Sequence, residues 1–294
     1  MRHFVIVGIL VIVVAVLTYV GLDSAGLMPV PASAQAGPID WLWDLQVKAI
    51  AFLFALIVVP MVYSLLVFRR RKGDTSDAEH IEGNTKLEIA WTIVPLFVVI
   101  GLAFIGAQNL AETRRVDPAA MVVNVTGFQW GWRFDYPDYG ITSTELYLPV
   151  NKQVLLKMTS TDVLHSFWVP EFRVKQDLVP GRITELRITP TLIGDTYKVR
   201  CAEICGTSHA YMENPVIVVD DVNFTAWVSD QQKLAEAAGQ TPEGRGQALV
   251  AANGCAACHS VNGAAGVGPT WFQLAGSEVP LSGGASAKPQ VVAA

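Results

Sequence analysis

Four cysteines lie as two close pairs, and each pair has metal-ligating neighbours. The first pair, Cys201 and Cys205, is followed by His209 and Met212 in the stretch VRCAEICGTSHAYMENP. Soft thiolate and thioether donors select copper, zinc or iron–sulfur centres, and two histidines with one cysteine and a weak axial methionine mark a copper electron-transfer site. One further histidine completes such a set, and His165 in STDVLHSFWVP is available from another loop. The stretch therefore predicts a metal site.

A one-copper site of this kind uses only one thiolate and leaves Cys201 over. Two thiolates four residues apart, two histidines, a methionine and a backbone carbonyl are enough to bridge two copper ions through both sulfurs. Two alternatives remain. Cys201 and Cys205 could form a disulfide in an oxidising compartment, or the site could be structural zinc, although the cysteine spacing and the methionine suit zinc poorly.

The second pair lies in the pattern CAACH, in which Cys255 and Cys258 can form thioethers to haem and His259 can be the proximal iron ligand. The pattern predicts covalent haem c in a small module that begins near residue 243. No methionine follows Met212 and no histidine follows His259, so the usual ligand on the other side of the haem is absent.

The tail after this motif is short and lacks the apolar periodicity of a helix that could close over a haem. We therefore expect a truncated cytochrome c domain, and three explanations are open. The chain is incomplete or frameshifted at its end, or the domain is a shortened one whose iron is completed by water, Lys288 or a partner protein. Alternatively, it is a relic that attaches haem without passing electrons usefully.

Composition limits the class of protein. The chain has 294 residues, of which 51% are hydrophobic and 16% charged, which is too apolar for one ordinary soluble domain. The net charge of −5 and the lack of a basic stripe exclude a nucleic-acid partner. Membrane segments joined to one or two domains fit this composition.

Three long apolar runs occupy the first 111 residues. The first ends near PASAQAG, whose small residues match an export-peptidase site, so residues 1–36 are predicted to be a signal peptide removed after Ala36. A retained membrane anchor is the alternative. The other two runs predict transmembrane helices at about 47–69 and 87–111, forming a hairpin over 37–111. Each contains a proline, Pro60 or Pro95, which membrane helices tolerate as a kink.

A basic connector sets the orientation of the hairpin. Under the positive-inside rule it is the cytoplasmic loop, so everything after residue 111 is extracytoplasmic in a multi-pass protein of the bacterial cell (inner) membrane. The basic residues of the connector are Arg69, Arg70, Arg71, Lys72 and Lys86.

Residues 117–222 change to short segments with β-type alternation separated by turn signals. They predict an all-β antiparallel sandwich or Greek-key barrel. Residues 223–242 are predicted to be a helix and a linker, with GQTPEGRG as the linker, and 243–294 a mainly α-helical module.

The motif CAEICGTSHAYM, with DVLHSFWVP, two preceding apolar helices and the aromatic run GFQWGWRFDY, resembles subunit II of haem–copper cytochrome c oxidases over most of residues 40–230. The resemblance implies a cupredoxin-like domain with the binuclear copper centre CuA. It also implies that the carboxylate of Glu203 binds magnesium shared with subunit I, and the added CAACH module resembles the caa3 type. The implied CuA ligands are His165, Cys201, the backbone carbonyl of Glu203, Cys205, His209 and Met212.

Other family roles carry over to single positions. Trp130 matches the tryptophan through which electrons enter from cytochrome c, with a core aromatic as the alternative. Asp162 and Asp177 match carboxylates near the docking surface for a basic cytochrome c, or are ordinary solvated charges. Glu88 matches a proton-uptake residue, although a glutamate favouring a helix N-terminus has the same pattern.

The resemblance implies an oxidoreductase subunit that passes electrons from cytochrome c, or another small donor, through CuA to haem a and the haem–copper site of subunit I. Oxygen reduction there is coupled to proton pumping, and subunit III is a further implied partner. A quinol oxidase subunit lacks these copper ligands, and a nitrous oxide reductase domain lacks the two preceding helices. A membrane-tethered copper carrier or storage protein remains the alternative.

Overall fold

The structure is a computed structural model that describes residues 1–70, 72–77, 80–252, 255, 258–264, 268–274, 277–280 and 286–287. Arg71 of the basic connector and Lys288, the candidate iron ligand, lie outside the described residues. The chain divides into two compact units. One consists of Met1–Val30 and Gly37–Thr113, and the other of Pro31–Ala36 and Arg114–Ala294.

Three helices in the first unit are long and apolar enough to cross a membrane: α1 (Arg2–Ser24), α2 (Ala36–Val67) and α3 (Thr85–Thr113). The predicted hairpin corresponds to α2 and α3, and both prolines lie within the helices as expected. α2 begins about eleven residues earlier than predicted. Polar residues such as Asp40 and Asp44 end the apolar run there, but a helix continues wherever its backbone hydrogen bonds are satisfied.

The second unit contains a β-sandwich of two five-stranded sheets, ordered β3-β2-β1-β5-β8 and β4-β10-β9-β6-β7. The strands are β1 (Met121–Phe128), β2 (Gly131–Tyr136), β3 (Ile141–Ser143), β4 (Leu146–Pro149), β5 (Val154–Ser160), β6 (His165–Trp168), β7 (Lys175–Leu178), β8 (Thr184–Ile188), β9 (Gly194–Cys201) and β10 (Glu213–Val219).

The sandwich confirms the predicted all-β fold, but its sheets are mixed and not purely antiparallel. β1 pairs with β5 in parallel, and β10 pairs with β4 in parallel. These partners are not consecutive in sequence, so crossovers bring them together in the same direction. The aromatic run predicted as one segment forms two strands, β1 and β2, which turn at Gln129 and Trp130.

Alternating side chains of both sheets fill the space between them. Trp132, Phe134, Leu156 and Phe167 are among the fully buried side chains of this core. Each removes a large apolar surface from water, which stabilises the sandwich by about 1.5–3 kcal/mol per aliphatic or Phe side chain. The core holds the strands that carry the candidate metal ligands.

Two further helices follow the sandwich, α4 (Asp221–Gln240) and α5 (Pro242–Ala252). The carboxylate of Asp220 caps α4 by accepting the Asn223 N–H at 2.8 Å. The side chain of Trp227 from α4 stacks on Tyr147 of the sandwich, with ring centroids 4.4 Å apart. The stretch predicted to be a linker is helical apart from Thr241, because a proline such as Pro242 suits the first position of a new helix.

Candidate metal centre

Two neighbouring strands of one sheet position the candidate ligands. His165 begins β6 and Cys201 ends β9, and the two strands pair antiparallel, with Phe167 opposite Cys201. The chain then forms a loop after β9 and a 3₁₀ turn at His209–Tyr211. The Cys201 N–H donates to the Met212 carbonyl at 3.1 Å and closes this loop. Residues 36 positions apart in sequence therefore meet because two strands are neighbours.

The five candidate side-chain ligands and one backbone carbonyl form a single cluster. The two sulfurs are 3.7 Å apart, and both cysteines are free. Near Cys201 Sγ lie His165 Nδ1 at 3.8 Å and the Glu203 carbonyl at 3.1 Å. Near Cys205 Sγ lie His209 Nδ1 at 3.4 Å and Met212 Sδ at 3.7 Å. Each sulfur thus has one imidazole nitrogen and one weaker donor beside it.

Burial keeps most of these donors out of water. His165 is fully buried, Met212 is 1% exposed, Cys205 3% and Cys201 9%. Ligating atoms of His165, Cys201 and Cys205 lie within 4.8 Å of one another, as in groups that hold a metal ion. The donor set fits copper, since thiolates, imidazoles and a thioether are the ligands of copper electron-transfer sites.

The two thiols differ in their electrostatics. Burial opposes ionisation of Cys201, but hydrogen bonds from His165 and from the backbone near Glu203 and Ser166 outweigh it and lower its pKa to about 6. Burial and the neighbouring charge of Cys201 raise the pKa of Cys205 to about 12. Cys201 is therefore the thiol that this environment favours as a thiolate, and a metal held by both sulfurs would require Cys205 to ionise as well.

Asp162 supports the cluster by contacting the ligand His165. Its carboxylate lies 2.8 Å from His165 Nε2 and also accepts the backbone N–H of Gln129 at 2.6 Å and that of Val163 at 2.7 Å. Burial raises the pKa of the carboxyl, but these hydrogen bonds overcome it and leave the pKa lowered. A carboxylate on one ring nitrogen orients the other toward a metal.

Trp130 contacts the cluster through the backbone of a ligand. Its indole Nε1–H donates to the Cys205 carbonyl at 3.3 Å, and the Gln129 side-chain amide donates to the same oxygen at 2.6 Å. Trp130 is partly buried, whereas Trp132 is fully buried and packs edge-on against His165 and Phe167.

Asp177 and Glu88, the other predicted site residues, each have hydrogen-bond partners of their own. The Asp177 carboxylate accepts a hydrogen bond from the buried Ser166 hydroxyl at 2.7 Å. Glu88 lies in the first turn of α3, where its carboxylate accepts the Asn84 N–H and the Asn84 side chain accepts the Leu87 N–H. These two bonds cap the start of α3, and an acidic side chain in the first turn also favours the helix N-terminus electrostatically, which is the alternative that the sequence left open beside proton uptake.

The haem motif forms its own small cluster. The His259 N–H donates to the Cys255 carbonyl at 3.0 Å, and His259 Nδ1 lies 2.8 Å from the Pro269 carbonyl. The His259 ring stacks on Trp271 at 4.7 Å, and both Cys255 and Cys258 are free thiols. Within the described part of the chain, Nε2 of His259 has no hydrogen-bond partner. The arrangement fits the proximal side of a covalent haem.

Sequence reasoning missed the supporting role of two residues that contact the metal ligands, Gln129 and Asp162. Gln129 was not predicted, because an amide that donates to a backbone carbonyl 76 residues away leaves no local signal. Asp162 was predicted only as a docking charge, although its position three residues before His165 is the signal that it could support that ligand.

Long apolar helices joined to a β-sandwich with a buried cluster of soft donors define a membrane-anchored, cupredoxin-like metalloprotein. Two family models match: the transmembrane domain of cytochrome c oxidase subunit II over residues 21–108, and its periplasmic domain over residues 141–222. The chain belongs to the family of cytochrome c oxidase subunit II.

Two relatives named cytochrome c oxidase subunit 2 agree with the family models. Cytochrome c oxidase subunit 2 of Synechocystis is 32% identical over 264 residues, which cover 73% of this chain and 79% of the relative. The corresponding subunit of Alkalihalophilus pseudofirmus is 32% identical over 251 residues, covering 82% and 73%. The crystal structure of the periplasmic domain from Bradyrhizobium japonicum has 32% identity and a TM-score of 0.39, and covers 40% of this chain and 98% of that one.

The chain is therefore a subunit of a terminal oxidase, an oxidoreductase, and a membrane protein with a periplasmic domain. The role of receiving electrons at a CuA copper centre follows from the family. His165, Cys201 and Cys205 of the β-sandwich form the group that could hold a metal ion for this role.

Proposed function

We propose that His165, Cys201, Cys205, His209 and Met212, with the backbone carbonyl of Glu203, hold the two copper ions of a CuA centre. The observation that carries the proposal is the paired arrangement of donors. Each sulfur lies beside one imidazole nitrogen and one weaker donor, and the sulfurs are 3.7 Å apart. A one-copper site would leave the second thiol without a role.

When bound, such a centre accepts one electron at a time from a donor such as cytochrome c and releases it toward haem a and the haem–copper site of subunit I. Trp130 would receive that electron, because its indole is partly exposed and donates directly to the carbonyl of the ligand Cys205. Asp162 and Asp177 would guide a basic donor, since surface charge mainly accelerates the encounter.

Glu203 would join this subunit to its partner. Its carbonyl faces Cys201 Sγ, and its carboxylate has no hydrogen bond or ion pair among the described residues. A free carboxylate beside a copper ligand is suited to a magnesium ion shared with subunit I, since Mg²⁺ takes one or two carboxylates in such sites. Subunit III is the further partner in a complex that pumps protons. Glu88 would collect protons at the cytoplasmic side in addition to capping α3.

The membrane arrangement extends this proposal. The basic residues before α3 support a connector on the cytoplasmic side of the bacterial inner membrane, which would leave both C-terminal domains on the extracytoplasmic side. A multi-pass subunit of this kind carries its copper site where periplasmic electron donors reach it.

The deciding experiment for two copper ions compares Cys201→Ser with Cys255→Ser. We expect the wild-type subunit and the Cys255→Ser control to retain two copper ions per chain after a mild chelator, and Cys201→Ser to retain at most one. Loss of all copper from the wild type would instead support the copper carrier, which must release its metal.

We also propose that the C-terminal module binds covalent haem c as in the caa3 type. The support is that His259 is held through Nδ1 by the Pro269 carbonyl, while Nε2 is left for iron. Two free thiols, Cys255 and Cys258, precede it at the spacing that thioether attachment needs.

Haem staining of the denatured purified chain tests this attachment. We expect staining that persists after denaturation and is lost when Cys255 and Cys258 are both replaced by serine, because no thioether to the haem can then form. A wild-type chain without covalent haem would contradict the proposal and leave the copper centre untouched.

A further inference from the structure

Residues 31–36, which we name the strap, are built into the second unit together with the β-sandwich. Three backbone hydrogen bonds, each 2.9 Å long, tie the strap to it. Ser33 also forms a bridge with Pro190 in antiparallel orientation. The three bonds run from the Ala32 N–H to the Glu171 carbonyl, from the Thr191 N–H to the Ala32 carbonyl, and from the Ala34 N–H to the Thr189 carbonyl.

Strap side chains add two hydrogen bonds and are buried. The Ser33 hydroxyl donates to the Phe172 carbonyl at 2.9 Å, and the Gln35 side chain accepts the Thr189 N–H at 3.0 Å. Ala32 and Ala36 are fully buried, and Ser33 and Gln35 are 5% and 6% exposed. Removing the strap would leave these buried partner groups unsatisfied, which costs about 1–3 kcal/mol for each group.

The strap holds two backbone segments that lead to the metal cluster. Phe172 ends the 3₁₀ turn directly after β6, the strand that begins with His165. Residues 189–191 precede β9, the strand that ends with Cys201. The Phe172 ring also packs on Tyr197 of β9, with centroids 5.9 Å apart. The strap therefore holds the segment after β6 and the segment before β9, the two strands that position ligands.

A separate observation comes from the helical unit, where α1 has a specific partner. Val11 of α1 is 5% exposed and forms a buried cluster with Ala55 and Val59 of α2. Small residues allow helices in a bilayer to approach closely, and Ala55 is fully buried in this seam. A leader that is removed has no need of a matched seam.

Polar contacts flank this seam on both sides. The Tyr19 hydroxyl donates to the Asp44 carboxylate at 2.8 Å, and Lys48 lies over the Tyr19 ring at 5.3 Å. Nearer the other ends of the two helices, His3 Nδ1 lies 2.7 Å from the Tyr63 hydroxyl. Three levels of contact along α1 and α2 match an antiparallel pair of permanent helices.

We infer that α1 is retained as a third membrane helix and that the strap after it is a permanent brace of the metal-binding domain. The chain is then not cut after Ala36, although the small residues at Ala34 and Ala36 match an export-peptidase site. The inference goes beyond the proposed copper chemistry and does not depend on it. With α1 retained, the N-terminus of the chain lies in the cytoplasm, which agrees with the basic residue Arg2 before the first apolar run.

Intact mass and N-terminal sequencing of the subunit in the purified oxidase test retention. We expect a chain that still contains residues 1–36, apart from removal of Met1. An N-terminus at Gly37 would overturn the inference. Copper content measured on the same sample shows separately whether the proposed metal function holds.

The variant Ala34→Lys distinguishes retention of residues 1–36 from their removal by an export peptidase. The Ala34 side chain is exposed, so the strap can accept lysine, whereas an export peptidase requires a small residue at this position. We expect the N-terminus of Ala34→Lys to equal that of the wild type and of the control Ala34→Ser. A leader present in Ala34→Lys but absent from the wild type would show that cleavage normally occurs.

Ser33→Ala tests the brace itself. In the metal-free chain we expect proteolysis within the sandwich to accelerate about fivefold, because one buried hydrogen bond is lost and opening becomes more frequent. Ser24→Ala is the matched control, since its hydroxyl also donates to a backbone carbonyl but lies at the end of α1. Equal proteolysis rates for the two variants would contradict the brace.

Discussion

Asp162 determines which nitrogen of His165 faces the sulfurs. The carboxylate lies against Nε2, and Nδ1 lies 3.8 Å from Cys201 Sγ. Because the carboxylate accepts the proton on Nε2, the lone pair is on Nδ1, where a metal would bind. Asp162 also fixes the backbone of Gln129, whose side chain contacts the Cys205 carbonyl. One carboxylate thus positions both sides of the cluster.

Asp162→Asn should raise the midpoint potential of the bound copper centre. Asparagine keeps an acceptor of similar shape but removes a negative charge, which favours the reduced form by about 1 kcal/mol, or roughly 40 mV for one electron. Potentiometric titration of the copper absorption measures the shift. Asp138→Asn, which removes an exposed carboxylate, is the control and should leave the potential unchanged. An unchanged potential in Asp162→Asn as well would show that the Asp162 carboxylate has only a packing role.

The ligand types were predictable from sequence because a thiolate, imidazole and thioether cluster is recognisable by spacing. Cys205, His209 and Met212 lie within eight residues, and their side chains do come together. The supporting contacts of Gln129 and Trp130 were not predictable, since they join backbone groups brought together only by the folded loops.

The loop after β9 depends on a glycine that no other residue replaces easily. Gly206 has φ +126°, a conformation that side chains with a Cβ rarely adopt. A Cβ there would lie 3.0 Å from the Gln129 side-chain nitrogen and 3.1 Å from the Trp130 ring. The glycine therefore allows Trp130 to approach the ligand loop.

Gly206→Ala should destabilise the metal-binding domain by about 1–3 kcal/mol and accelerate copper loss, because backbone strain and the displaced Trp130 both act on the ligand loop. Thermal unfolding and chelator kinetics measure the two effects. Gly181→Ala is the matched control: φ is +73° but nothing lies within 4 Å of its Cβ, so it carries strain without the contact. Equal copper loss in both variants would refute the role of the close approach.

The secondary-structure elements were predictable in kind but less so in extent. Continuous apolar runs located α2 and α3, and alternation located the strands of the sandwich. The pairing of β1 with β5 in parallel left no local pattern, because strand order depends on how whole sheets pack. Only the start of the helix over 242–252 was predicted as linker, because the residues PEGRG are polar and contain two glycines.

At the level of the molecule, a helical unit and a β-sandwich unit divide anchoring from electron transfer. The sandwich provides a rigid support whose two neighbouring strands bring ligands together, while the long apolar helices keep the subunit at the membrane. Rigid support suits electron transfer, since a site that keeps its geometry in both oxidation states loses little energy to rearrangement. The sequence predicted this division because hydropathy and strand alternation occupy separate parts of the chain.

Electron paramagnetic resonance of the purified oxidised subunit, with copper counted in the same sample, tests the binuclear site most directly. Two copper ions bridged by two thiolates would share one unpaired electron. We predict two copper ions per chain and a hyperfine pattern of equal coupling to both nuclei. A single copper ion per chain with coupling to one nucleus would contradict the account.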